Sequence, residues 1–207
     1  MTPIVLQATA LAQTGANPAA PAGEGLPAGA AVRVLQFAIV CALLAASRCF
    51  AANVALSGGM NHETVMVGVA TQWMAASPLH EDSTWALRYG VEFDLLNMHA
   101  RQARKYGASN IAAVGATPLL RVDWPRGNHV NFVDVGVGGH LLSHTSLQGG
   151  PNFGSAFQFG EWIGAGIRFG RGEAHELGLR LEHLSNADIK RPNDGITFVA
   201  LRAAWRF

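Results

Sequence analysis

Leu177-Gly-Leu-Arg-Leu-Glu-His-Leu-Ser185 alternates with a period of two over its whole length. Side chains two apart on a strand share a face, so Leu177, Leu179, Leu181, His183 and Ser185 form one row, and Arg180 and Glu182 lie on the other. An apolar row backed by both signs of charge allows two all-β solutions. A soluble barrel or sandwich hides the apolar face and wets the charged one. A small outer-membrane barrel does the reverse, with lipid outside and an ion-paired interior. In the second case the row aims an imidazole and a hydroxyl at the membrane rather than at water.

The same alternation recurs along the chain. Within 64–76 the odd positions are Val65, Val67, Val69, Thr71 and Trp73; within 84–98 they run from Trp85 through Tyr89 and Phe93 to Leu95. In 130–141, Val133, Val135, Val137 and Leu141 oppose Asp134 and His140, and in 156–169 Phe157, Phe159, Ile163, Ile167 and Phe169 oppose Gln158 and Arg168. The last strand sets Val199, Leu201, Ala203, Trp205 and Phe207 against Arg202 and Arg206. A less regular strand near 109–121 and a short first one near 53–58 bring the total to about eight. Turn clusters at 77–82, 123–128 and 170–172 separate several of them.

The 207 residues are 14% charged and 49% hydrophobic with a formal net charge of +1, which suits one domain and gives no electrostatic case for a nucleic-acid partner. Arg33 precedes an apolar run from Val34 to Ala46, followed by Cys49-Phe50-Ala51-Ala52. That is the layout of a signal peptide over 33–51, cleaved after Ala51; the run is shorter than the roughly 20 residues a spanning helix needs. Residues 1–32 carry only Glu24 as a charge and show no period. They read as a non-structural extension or a mis-assigned start, with translation beginning near Val32. Both cysteines, Cys41 and Cys49, fall in the signal, so the mature chain has neither disulfide nor thiol chemistry.

Secretion, an even strand count and the closing aromatic Phe207 favour lipid outside. The expected fold is all-β: an eight-stranded antiparallel up-and-down outer-membrane β-barrel over 52–207, filled by side chains. Short turns then face the periplasm, and the longer connections 100–108, 143–154 and 187–195 face outward, carrying Arg101, Arg104, Lys105, Lys190 and Arg191. Arg88, Glu92, Asp94, Asp134, Arg168, Arg180 and Glu182 are expected as interior ion pairs. His62, His80, His99, His129, His140, His144 and His175 show no spacing of metal ligands, so no metal or cofactor is expected.

His183 and Ser185 form a base and a nucleophile at i and i+2. Backbone N–H groups near Asn186, or its side-chain amide, are placed to receive an oxyanion. The block His183-Leu-Ser-Asn-Ala-Asp-Ile-Lys-Arg-Pro-Asn-Asp-Gly195 resembles the catalytic hairpin of the lipid A 3-O-deacylases, the PagL family. Phe157-Gln-Phe-Gly-Glu-Trp-Ile-Gly-Ala-Gly-Ile-Arg-Phe169 is similar to the strand that precedes it. The resemblance is specific over 154–207 and diffuse over 53–153. It implies a serine hydrolase without metal that removes the ester-linked 3-hydroxyacyl chain at the 3 position of lipid A, in the bacterial outer membrane. It also implies His183 as base, Ser185 as nucleophile and Asn186 at the oxyanion site. The expected partners are lipopolysaccharide as substrate and the outer-membrane assembly machinery, reading Phe207; a homodimer is left open.

One position departs from the family pattern: where a third, acidic member is expected, the chain has Thr197. Glu161 is the one acid in the apolar row of 157–163, and a tight turn near 171–173 places it opposite His183 as a substitute. Two other readings remain at this stage. One is a non-enzymatic outer-membrane barrel of structural or adhesive type, and the other a soluble secreted barrel carrying an apolar ligand.

Overall fold

The computed structural model describes residues 52–102 and 106–206. The segments read above as an extension (1–32) and a signal peptide (33–51), with Arg104, Lys105 and Phe207, lie outside the described residues. The strands are β1 (Ala52–Met60), β2 (Thr64–Met74), β3 (His80–Glu81), β4 (Ala86–Ala100), β5 (Asn110–Arg126), β6 (His129–Leu142), β7 (Phe157–Phe169), β8 (His175–Ser185) and β9 (Ile196–Arg206). All neighbours are antiparallel. Because β1 pairs with both β2 and β9, and β2 also pairs with β4, the long strands close into a barrel. Eight strands form the wall.

Two details differ from the sequence reading. The segment 77–82 is more than a turn, because β3 folds back onto Ala86 and Leu87 at the foot of β4. The turn expected over 123–128 shrinks to Gly127-Asn128, because β5 continues through Trp124-Pro125-Arg126 in register with β6. Gly127 takes a φ of 63°, the left-handed backbone a two-residue hairpin needs.

The alternation decides which way each side chain points. Leu179 and Leu201 are 60% and 54% exposed, whereas Arg180 and Arg202 between them are 8% and 5%. An apolar outer belt around a polar interior is the membrane solution of the pattern. The interior itself has two layers. Toward the short-turn end, Arg121 bonds Asp134 and Glu176, Arg202 bridges Glu176 and Glu92, and Arg180 grips Glu92 at 2.6 Å. Arg121 and Arg180 also stack over Phe132 and Trp162, 4.2 and 3.7 Å from the ring centroids. Buried charges are stable only when paired in this way.

Toward the long-loop end the filling becomes apolar. Met66, Met98, Ile111, Phe198 and Leu184 pack beneath Leu147 and Phe153, which descend from the 143–156 connection as a plug. Between the layers the imidazole of His140 lies against Gly115 and Gly160. A Cβ on either glycine would come within 2.3 Å of the ring, so only glycine leaves it room.

Candidate active site

The site is assembled by three adjacent strands at the long-loop end. Register places Glu161 of β7 and Thr197 of β9 on either side of His183 in β8. His183 Nδ1 lies 2.8 Å from Thr197 Oγ1. Gly195, with a φ of 60°, backs onto the ring: a Cβ there would lie 3.0 Å from His183 Cε1. The glycine is required twice, by its backbone and by the imidazole.

Ser185 lies two residues along the same row, opposite Phe159, which meets Phe157 edge-to-face at 5.1 Å. The outward row therefore passes from leucines and phenylalanines to imidazole and hydroxyl at the rim. Among the described residues no hydrogen bond joins His183 to Ser185, and none, nor any ion pair, engages Glu161. The structure thus brings Glu161, His183 and Thr197 side by side and bonds only the last two.

Asn186 is turned the other way. It is fully buried, and its Nδ2 donates to the Phe153 and Lys190 carbonyls, both at 2.7 Å, and to Ser155 Oγ at 3.1 Å. Its backbone N–H donates to Asn193 Oδ1 at 2.9 Å. The side-chain amide thus ties the 186–195 loop to Phe153 and Ser155 from inside. The signal was present in the parity of β8, since 186 continues the inward series of Arg180, Glu182 and Leu184.

The connection 186–195 carries stored strain. Ala187 and Asp188 have φ of 52° and 61°, a left-handed pair without glycine that costs on the order of 1–3 kcal/mol per residue. The neighbouring connection 143–156 holds it in place. Asn152 N–H donates to Asp194 Oδ2 at 2.8 Å, and Asp194 N–H donates to the Asn152 carbonyl at 3.1 Å. Nothing in the sequence pattern announced this clasp.

Beside the imidazole an open groove of about 470 Å³ runs between His183, Gly195 and Thr197, the β1–β2 turn Asn61-His62-Glu63, and Gly150-Pro151. The turn is built by Asn61, whose Oδ1 accepts the N–H groups of Glu63 and Thr64 while its Nδ2 donates to the Thr197 carbonyl.

A closed eight-stranded barrel with an apolar belt around a charged interior, carrying an imidazole and a hydroxyl in its outward row at one rim, defines a class: a small outer-membrane barrel. The family model for lipid A 3-O-deacylase (PagL) matches residues 65–206, and the chain belongs to that family of outer-membrane enzymes. It is 28% identical over 148 residues to the lipid A deacylase PagL of Bordetella bronchiseptica, covering 68% of this chain and 80% of that one. It is 41% identical over 70 residues to the lipid A deacylase PagL of Pseudomonas aeruginosa, covering 34% and 39%. A crystal structure of the outer membrane enzyme PagL shares the fold, with a TM-score of 0.66 at 22% identity over 75% of this chain and 99% of that one. The non-enzymatic and soluble readings are set aside by this membership.

Proposed function

We propose that this chain hydrolyses the ester-linked 3-hydroxyacyl chain at the 3 position of lipid A, in the outer leaflet, with Ser185 as nucleophile and His183 as general base. The observation that carries the reading is the imidazole–hydroxyl row on the lipid-facing wall, with His183 Nδ1 held by Thr197. If Nδ1–H donates to the threonine oxygen, the lone pair of Nε2 is left for Ser185. A substrate ester then tightens a contact that is open in the free enzyme.

Ser185 Oγ attacks the acyl carbonyl carbon while Nε2 takes its proton. Collapse breaks the bond to the sugar oxygen, which receives that proton and leaves as the alcohol. Water, deprotonated by the same nitrogen, then releases the fatty acid and restores Ser185. Oxyanion donors in this reading are backbone N–H groups at the start of the 186–195 loop, whose strained geometry Asn186 fixes from within. In this reading residues 33–51 serve as the export signal, and short turns facing the periplasm leave the long-loop end outward, on the side of the substrate. The test is lipid A mass spectrometry with and without the expressed protein. Loss of one 3-hydroxyacyl chain supports the reading, and an unchanged mass across growth conditions removes it.

Thr197 and Glu161 are separable by substitution. In this reading Thr197 orients the ring, so Thr197→Val lowers kcat about tenfold, the worth of one hydrogen bond. Thr197→Glu raises kcat, because a carboxylate stabilises the imidazolium more than a hydroxyl does. Glu161→Gln changes little. The reverse pattern in initial rates, a large loss in Glu161→Gln with Thr197→Val unaffected, transfers the orienting role to Glu161.

A further inference from the structure

We propose that the groove beside His183 is a subsite for the sugar half of the ester, read by His62 and Glu63 of the β1–β2 turn. The inference rests on the deacylase reading above and adds the residues that select the alcohol side.

An ester held at the His183–Ser185 row has two arms. Below the row the wall is apolar, with Phe159 opposite Ser185 and Leu181 and Val199 facing outward. That side takes the acyl chain. The alcohol must then leave in the other direction, and the space there is the groove bounded by His183, Thr197 and the β1–β2 turn. Its volume of about 470 Å³ lies within the usual range for small-molecule sites.

The lining states what that alcohol looks like. Asn61, His62, Glu63 and Asp194 supply both donors and acceptors, and among the described residues no lysine or arginine lines the groove. Phosphate is ordinarily held by cations. A groove with carboxylates and no fixed cation suits hydroxyl and amide groups of a hexosamine ring instead.

His62 and Glu63 are also positioned to do this. Their side chains meet at 3.4 Å and are 85% and 40% exposed, so both reach solvent and a ligand. Their backbone is fixed by the Asn61 turn and by the Arg101 N–H, which donates to the Glu63 carbonyl at 2.8 Å. Asp194 is already engaged with Asn152, which leaves His62 and Glu63 as the adaptable pair.

The experiment compares two substrates with the full-length, membrane-inserted enzyme: lipid A in detergent micelles, and a 4-nitrophenyl acyl ester of the same chain length that lacks the sugar. The double variant His62→Ala/Glu63→Gln is expected to raise KM for lipid A about tenfold with a smaller change in kcat. The ratio of kcat/KM for lipid A to that for the simple ester falls accordingly. An equal loss on both substrates, or no loss on lipid A, overturns the subsite. Native gel mobility before and after heating confirms that the variant is folded. Ser185-dependent cleavage of the simple ester without any wild-type release from lipid A overturns the deacylase reading and the subsite together.

Discussion

Ser185→Ala is expected to give a folded barrel whose gel mobility still changes on heating, while lipid A extracted from cells making it keeps its full mass. The loss of turnover should be at least about 10³-fold, since removing a nucleophile leaves only binding and oxyanion stabilisation. Folding should be spared for structural reasons. Ser185 ends β8, pairs with Phe159 through its backbone, and contributes no side-chain hydrogen bond among the described residues. Undiminished deacylation by this variant would remove Ser185 as nucleophile. Because the substitution changes one oxygen on the outer wall, a defect in assembly cannot account for a catalytic loss in a barrel that is still heat-modifiable.

The second large effect is expected far from that row. Arg121 is 2% exposed and holds both Asp134, through Nε at 3.2 Å, and Glu176, through Nη1 at 2.7 Å. Arg121→Met should lower stability by about 3–5 kcal/mol, because it leaves Asp134 without its guanidinium and Glu176 with Arg202 alone. The measurement is urea unfolding of the refolded barrel in a fixed detergent. Replacing Asp134 by Leu in the same protein should recover part of the loss, since an apolar pair costs less than an orphaned charge. An unfolding midpoint equal to wild type in the single variant would show that water reaches the network and compensates it.

These two residues also mark how far the sequence could be read. Ser185 lies in an uninterrupted alternation, and a period of two fixes both its face and its neighbours. The tight turn at 171–173 then aligns Glu161 with His183, and the register confirms that alignment. Arg121 lies at the point where the regular pattern weakens. In β5 the inward series Ala113, Gly115, Thr117, Leu119, Arg121 mixes sizes and polarities, and Pro118 on the other face removes an N–H from the ladder. Hydropathy therefore shows no clean row, although the parity holds. The plug of Leu147 and Phe153 comes from a connection with no period, and the clasp between Asn152 and Asp194 joins two such connections. Contacts between loops depend on where closure of the sheet brings them, which local patterning does not encode.

The sideways opening of the His183–Ser185 row sets the kinetics of any reaction performed there. His183 and Ser185 continue the outward row of β8, so in the proposed reading a substrate arrives by lateral diffusion within one leaflet and both products return to it. The concentration that governs the rate is then a mole fraction in a two-dimensional fluid, and bulk molarity has little meaning. Adding inert detergent or phospholipid at constant enzyme and substrate should slow turnover by surface dilution. Diluting the whole sample with buffer should leave the rate per enzyme nearly unchanged.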